Sequence, residues 1–254
     1  MIKLITCDID GTLLHGSEIA LNDTVRREIR RLMDKGILFC PASGRQYESL
    51  KTLFAPMAGH MACICENGSV VFCPGGELLG KTPLDQDKAL ALCREIVAQP
   101  DLELMAAGEN MSYLCPKDES FVDHVEHFVK NTATVLADPA HIPEEIIKVA
   151  CFCRKGSHYA AKLLFPKWET EFQAVISGEE WVDFTLADKG SGLRQLCERL
   201  GIGLDEVMSF GDNYNDLPLL DIVGTPYIMD NAAPDLRQRF PLHCRRVEDV
   251  LKTL

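Results

Sequence analysis

Ile2-Lys3-Leu4-Ile5-Thr6-Cys7-Asp8-Ile9-Asp10-Gly11-Thr12-Leu13-Leu14 sets a short apolar run against two carboxylates and a glycine. The apolar run predicts a buried first strand that ends at Asp8. Two carboxylates at i and i+2 where a strand ends point to the same side of the sheet, at the carboxyl edge where open α/β folds take ligands. Such a pair suits a hard cation, because magnesium wants oxygen ligands and keeps several of its waters, so one or two carboxylates suffice. Acids held close also push their pKa values apart, leaving one group protonated and the other ionised. A lone Asp-Gly is commonly no more than the turn that ends a strand, a reading that fits the whole heptad Asp8 to Leu14 poorly.

Outward from this stretch the pattern alternates. Helices are predicted over about Asp23 to Lys35 and Gln46 to Phe54, and further apolar strands at Ile37 to Cys40 and Met61 to Cys65. The rhythm returns near the end with a helix over Gly192 to Leu200, a strand at Val207 to Phe210, a helix over Asp216 to Asp221, a short strand near Tyr227 and a helix from Val247. Strands alternating with helices signify βαβ units and a parallel sheet. Between the two segments the character changes. Helices are expected at Asp85 to Ala98, Phe121 to Lys130 and Lys167 to Ile176, and strands at Ile146 to Cys153, at Trp181 to Leu186 and on either side of a Gly108-Glu109-Asn110 turn. The fold class is therefore α/β, with a parallel-sheet core formed by residues 1–81 and 188–254 and an inserted α+β domain over 82–187, joined through the turn-rich Cys73 to Pro83 stretch and Ala187-Asp188.

Three further elements sit where predicted strands end or helices begin. Pro41-Ala42-Ser43-Gly44-Arg45 precedes a helix, and a hydroxyl with a glycine there offers an O–H, backbone N–H groups and the positive end of the helix dipole to a phosphoryl oxygen, although Ser-Gly alone is also a plain N-cap. Lys189-Gly190 supplies a cation at another helix start. Gly211-Asp212-Asn213-Tyr214-Asn215-Asp216 follows the strand Val207 to Phe210 and brings acids and amides to its carboxyl end. It lacks the glycine and terminal glutamate that a calcium-binding EF-hand loop needs at fixed positions, and a strand leads into it.

Asp-x-Asp-Gly-Thr at 8–12, Ser43 in its Ser-Gly-Arg turn, Lys189-Gly190 and Gly-Asp-x-x-Asn-Asp at 211–216 stand in that order. Together they resemble the four motifs of the haloacid dehalogenase superfamily. The wide insertion between Ser43 and Lys189, with Glu66-Asn67-Gly68, is similar to the Cof-type subfamily with a type II (IIB) cap. The resemblance implies a Rossmann-like core with the insertion as a cap domain, and a Mg2+-dependent phosphatase acting on small phosphorylated metabolites such as sugar phosphates, pyridoxal phosphate or flavin mononucleotide. It also implies that Asp8 is the nucleophile forming an aspartyl-phosphate and Asp10 the general acid and base, while Ser43, Gly44 and Lys189 bind the phosphoryl group. The metal would be held by Asp8, the backbone carbonyl of Asp10 and Asp212, with Asn215 and Asp216 in support and Thr12 orienting the Asp10 loop. Ser43 departs from the threonine more usual at its position but keeps the hydroxyl. A phosphosugar mutase and a non-catalytic phosphate-binding regulatory protein are the alternatives. Substrate choice is expected of the inserted domain, at the Gly108 to Met111 turn or among the basic residues Arg154 to Tyr159.

Composition narrows the partners. The net charge of -12 opposes nucleic acid, and the arginine pairs at 26–27 and 30–31 are interleaved with Glu28 and Asp34. No apolar run is long enough to cross a bilayer, and the amino-terminal run is too short for a signal peptide. The eleven cysteines, most of them inside apolar strand-like runs, are read as core thiols in a reducing cytoplasm. Cys63-x-Cys65, Cys151-x-Cys153 and the His124/His127 pair lack the partners of a zinc site. No obligate protein partner is evident.

Overall fold

The computed structural model describes residues 1–129 and 131–254 and divides into two compact units, one of Met1–Gly44, Leu50–Gly80 and Asp188–Leu254, the other of Arg45–Ser49 and Lys81–Ala187. In the first, the fully buried β1 (Leu4–Cys7) is followed by α1 (Asp23–Asp34), which starts where it does because the Asn22 side chain accepts from the Val25 N–H at 2.9 Å. Apolar positions Val25, Ile29 and Leu32 recur at helical spacing and are buried, which anchors the helix. The arginines expected to form no nucleic-acid stripe are occupied inside the fold. Arg26 donates to the carbonyls of Leu21, Leu53 and Ala55, and Arg31 to Glu28 and the Leu251 carbonyl.

After α1 come β2 (Leu38–Pro41), α2 (Tyr47–Phe54), β3 (Cys63–Cys65), β4 (Val70–Phe72) and β5 (Leu78–Lys81). The third strand differs from expectation. Rather than joining the main sheet, β3 pairs antiparallel with β4 in a separate sheet ordered β3-β4-β5, and a single bridge from Ala42 to Ile64 connects it to the end of β2. The turn-rich stretch predicted as a joint forms a hairpin turn, with Cys73 N–H donating to the Glu77 carbonyl, and then the unforeseen β5.

The second unit is built on one six-stranded sheet. Its elements are α3 (Gln86–Ala98), β6 (Glu103–Ala107), β7 (Ser112–Leu114), α4 (Glu119–Asp123), β8 (Ala133–Val135), β9 (Lys148–Phe152), α5 (Ser157–Trp168), β10 (Gln173–Ile176) and β11 (Trp181–Thr185), with strand order β10-β11-β9-β6-β7-β8. Leu92, Ile96 and Leu164, from α3 and α5, pack with Leu104, Val149 and Phe184 into one core, and α4 adds Phe121 to a second with Phe152 and Leu114. The helix predicted over Lys167 to Ile176 is not there. Helix α5 runs earlier and carries Pro166 in its last turn, and the residues beyond Phe172 pair with β11 as β10. The expected helix is thus displaced towards the amino terminus, and it holds Pro166 although proline cannot donate the i→i−4 bond. Past α4 the chain continues as a π-helical stretch, His124–Val129; Lys130, the expected end of that helix, lies outside the described residues.

The first unit resumes with α6 (Lys189–Leu200), β12 (Val207–Gly211), α7 (Leu217–Leu220), β13 (Thr225–Met229), α8 (Pro234–Arg239), β14 (Leu242–Cys244) and α9 (Val247–Leu251), of which α8 and β14 went unread in the sequence. The main sheet is ordered β14-β13-β12-β1-β2, and all four pairings are parallel. Residues on both sides of the insertion thus complete one sheet, with β1 between β12 and β2. Parallel register brings Cys7, Pro41 and Phe210 level, so the residues that follow them leave the same sheet edge. All eleven cysteines are buried and free, and no helix among the described residues is long and apolar enough to span a membrane.

A single glycine, Gly68, fixes how closely α6 approaches the turn after β3. Gly68 sits at φ +99°, and a Cβ there would lie 2.0 Å from the Asp188 carbonyl oxygen, just ahead of α6. Gly36 has a comparable φ of +84° but open space around it. Gly36→Ala should therefore cost about 1 kcal/mol for backbone conformation alone. Gly68→Ala adds a backbone collision and should cost about 3 kcal/mol, a melting-temperature loss of about 10 °C in thermal unfolding. Equal losses would show that the Gly68 contact is not tight.

Candidate active site

The Asp8 N–H donates to the Phe210 carbonyl at 3.0 Å, which ties the first residue beyond β1 to the neighbouring strand. The chain then doubles back, with the Ile9 carbonyl accepting from the N–H groups of Leu13 and Leu14 at 2.9 and 2.8 Å. Gly11, at φ +94°, allows this turn to lie on Asp212: a Cβ at that position would meet Asp212 Oδ2 at 2.2 Å. The wholly buried Thr12 donates its hydroxyl to Asp212 Oδ1 at 2.6 Å.

Asp212 begins the turn after β12. Asp216 Oδ2 accepts from the backbone N–H of Asp212 and of Asn213 at 2.9 and 3.0 Å, closing the turn on itself. Its other oxygen accepts from Lys189 Nζ at 2.6 Å, and Lys189 also donates to Asp8 Oδ1 at 2.5 Å. Lys189 is the first residue of α6, held there by Asp188, whose side chain accepts from the Ser191 N–H at 2.7 Å while its own N–H donates to the Ser191 hydroxyl. The ammonium is wholly buried, Asp216 likewise, and Asp8 is only 6% exposed.

Ser43 and Gly44 leave the sheet edge after β2, next to β1. The Ser43 N–H donates to the Ile64 carbonyl at 2.9 Å and its carbonyl accepts from the Asn67 N–H at 3.0 Å. Glu66 and Asn67, both at positive φ near +50°, shape this turn, and the Asn67 side-chain oxygen accepts from Asn215 Nδ2 at 3.2 Å. Asn215 thus braces the Ser43 loop through Asn67. Asp10 is exposed and its backbone bridges to Leu14, while its charge adds to the burial that raises Asp212. The structure therefore joins Asp8, Thr12, Lys189, Asp212 and Asp216 directly, and Ser43, Gly44 and Asn215 through Asn67.

Two participants escaped the sequence reading of roles. Asn67 was noted only as part of Glu66-Asn67-Gly68. Asn231 donates to the Gly11 carbonyl at 3.0 Å and approaches Asp212 Oδ2 at 3.4 Å. It follows a strand end, as Asp8 and Asp212 do, but in sequence it reads as a turn residue.

Electrostatics make the cluster unusual. Burial pushes the Asp8 carboxyl well above the ordinary aspartate range; Lys189 opposes this, while Asp216 and Asp212 reinforce it. Burial also works against charge on Lys189, yet the carboxylates of Asp216 and Asp8 more than offset it and hold the ammonium above the usual lysine range. Asp212 is pushed up to about 6 by burial, against the Thr12 hydrogen bond and with help from Asp216. Among the described residues, Asp8, Asp212 and Asp216 each offer a carboxylate oxygen, all within 4.8 Å of one another. Three carboxylates against one ammonium leave a deficit of positive charge, and an all-oxygen donor set fits a hard divalent cation such as Mg2+.

In the basic stretch Arg154 to Tyr159 the side chains make local, exposed pairs. Lys155 pairs with Asp101 at 2.7 Å, Tyr159 donates to the same carboxylate, and Arg154 donates to the Ser120 hydroxyl at 2.6 Å. At the Gly108 turn, Glu144 accepts from the Glu109 N–H and the Tyr113 hydroxyl.

Comparison with known proteins agrees with this geometry. The family described as haloacid dehalogenase-like hydrolase matches residues 5–249. The chain is 27% identical to 5-amino-6-(5-phospho-D-ribitylamino)uracil phosphatase YbjI of Escherichia coli over 91% of this chain and 86% of that protein. It is 28% identical to the HMP-PP phosphatase of an Enterobacter species over 96% and 92%. The fold matches that of the HAD subclass IIB sugar phosphatase BT4131 with a TM-score of 0.82, at 21% identity over 99% of this chain and 98% of that one.

Two outcomes follow from the charge balance. Lys189→Met leaves two buried carboxylates facing each other and should destabilise the metal-free protein by about 3 to 5 kcal/mol at pH 8. That loss should shrink as pH falls, because burial favours the protonated form of Asp8; a pH-independent loss in thermal melts would argue that the pair matters only for packing. Asp212 binds its proton more tightly folded than unfolded, so its stabilising share is complete below its unfolded pKa of about 3.9 and disappears as pH rises through about 6. In EDTA, Asp212→Asn should consequently melt above the wild type at pH 7.5 and converge with it towards pH 4.5.

Proposed function

We propose that this chain, which belongs to the haloacid dehalogenase-like hydrolase family, is a Mg2+-dependent phosphatase of small phosphorylated metabolites working through an aspartyl-phosphate on Asp8. The observation that carries this reading is the placement of Lys189, whose ammonium touches Asp8 and Asp216 in a buried, otherwise acidic cluster. An ammonium and a carboxylate in contact at a strand end give one group to attack phosphorus and one to hold the oxygens of the transferring phosphoryl group.

In the first step a carboxylate oxygen of Asp8 attacks phosphorus as the bond to the leaving oxygen breaks, and Asp10 gives that oxygen its proton. In the second, Asp10, now a carboxylate, takes a proton from water as the water oxygen attacks phosphorus, and the bond to Asp8 breaks to release inorganic phosphate. Exposure of Asp10 suits this duty, since it must reach both the departing alcohol and the incoming water. Lys189 keeps its proton throughout and balances charge on the transferring group. Ser43 and the backbone N–H of Gly44 hold another phosphoryl oxygen, in a turn that Asn67 and Asn215 stiffen. Mg2+ would be held by Asp8 and Asp212, with the backbone carbonyl of Asp10, and when bound supplies the positive charge that neutralises the equatorial oxygens. Asp216 positions Lys189 and the Asp212 turn.

The relatives point to the substrate class. Those named above are a phosphatase of a phosphoribitylamino-uracil and a phosphatase of HMP-PP. We read residues 82–187 as the cap that selects the leaving group, and residues 1–81 and 188–254 as the catalytic core, working in the cytoplasm without a nucleic-acid, membrane or obligate protein partner.

Phosphate release should be measured with sugar phosphates, pyridoxal phosphate, flavin mononucleotide and an aryl phosphate, each with Mg2+ and with EDTA. Release should require the metal and fall at least a thousandfold in Asp8→Asn. Conversion of a sugar phosphate to its isomer without net release would replace the phosphatase by a mutase, and phosphate binding without turnover by a binding protein.

A further inference from the structure

We propose that Asn231 is a positioning residue that locks the carboxylate of Asp212 and the Asp10-Gly11 turn into one geometry for the cation; this rests on the phosphatase reading above. Asn231 stands two residues beyond β13, the strand paired with β12, so it leaves the same sheet edge as Asp212. Its backbone is fixed on both sides, because the Asp230 N–H donates to the Cys244 carbonyl at 2.9 Å and the Ala232 N–H to the Met229 carbonyl at 3.0 Å. From that anchored turn the side-chain amide donates to the Gly11 carbonyl at 3.0 Å and reaches Asp212 Oδ2 at 3.4 Å. Both partners are acceptors without a proton to give, so only the NH2 end of the amide can face them, and its two hydrogens match the two acceptors.

The consequence lies in what each oxygen of Asp212 is doing. Oδ1 is held by the Thr12 hydroxyl at 2.6 Å and Oδ2 by Asn231. A carboxylate anchored through one oxygen still rotates about its Cβ–Cγ bond, where the torsion is broad, whereas anchors on both oxygens fix its plane. The same amide fixes the carbonyl of Gly11, the residue that turns the chain directly after Asp10. Gly11 cannot be braced by a side chain of its own, since a Cβ there would collide with Asp212. Asn231 supplies the brace from the neighbouring strand.

Asn231 also lines a cavity of about 360 Å³ with His15, Asp230, Arg245 and Arg246. It is exposed there and carries no core packing, so truncation removes two hydrogen bonds and leaves the fold intact. Residues that orient metal ligands typically contribute 10- to 100-fold to affinity, and the length of the Asp212 contact places Asn231 near the lower figure.

The test compares wild type, Asn231→Ala and Asn231→Gln, which keeps an amide donor. Mg2+ is titrated against melting temperature without substrate, and kcat and KM are measured at saturating Mg2+ on the best substrate of the panel. Asn231→Ala should raise the Mg2+ concentration for half-maximal thermal shift about tenfold. It should also lower kcat several-fold with KM little changed and melt like wild type in EDTA, and Asn231→Gln should recover part of both losses. Unchanged Mg2+ half-saturation in Asn231→Ala overturns the proposal, as does a lower melting temperature in EDTA with unchanged half-saturation and kcat, which makes the residue merely structural. If wild type releases no phosphate, the phosphatase reading fails by itself, and the metal titration still decides the role of Asn231.

Discussion

A buried ammonium shared by two carboxylates is the constraint around which the first unit is arranged. Lys189 contributes its charge from the start of α6, on the far side of the insertion from Asp8, while Asp216 holds it from the turn after β12. Removing one partner would leave a desolvated charge without compensation, which is far more costly than never having built the pair. The sheet edge, α6 and the turn after β12 must therefore form together. Residues near both ends of the chain accordingly share one parallel sheet, which puts groups beyond β1 and β12 within reach of a single lysine.

Glycine occupies the places where that convergence is tightest. The turn after β1 presses on Asp212 at Gly11, and the turn after β12 presses on Asp216 at Gly211, where a Cβ would meet the Asp216 Cβ at 2.5 Å. At Gly190 a Cβ would lie 2.2 Å from the Pro218 carbonyl oxygen, so α6 and α7 meet nearly backbone to backbone behind Lys189. Each motif glycine thus does steric work for the acid or lysine beside it. That is why Asp-Gly, Lys-Gly and Gly-Asp recur in the motifs.

Much of this was legible in the sequence because a parallel sheet writes itself as short apolar runs ended by functional residues. Asp8, Lys189, Asp212 and Asp216 were read from strand ends and helix starts and Thr12 through the resemblance, and the structure brings them together, with Thr12 on Asp212. What was lost depended on relations between distant segments. Whether β3 joins the main sheet or a hairpin with β4 depends on pairing partners, to which an apolar run such as Met61 to Cys65 is indifferent. The helix expected over Lys167 to Ile176 failed for the same reason, since the residues beyond Phe172 pair with β11. Asn231 went unread because a single asparagine after a short strand is, in sequence, one more turn residue; only the register of β13 on β12 carries it to Gly11 and Asp212.

The cluster is organised for a ligand rather than for its own stability. Three carboxylates confront one ammonium, and burial raises the proton affinity of Asp8 and Asp212, so the fold bears an electrostatic cost that a divalent cation held there would relieve. The hydrogen bonds around it offset part of that cost and fix the direction of each acid. Thr12, the backbone N–H groups of Asp212 and Asn213, and Lys189 all stabilise ionised carboxylates in fixed directions. A site meant only to hold the fold together would gain by replacing Asp212 with a neutral residue. Keeping the acid ionised and aimed, at a cost to the empty protein, is the arrangement expected where charge must be neutralised in a transition state.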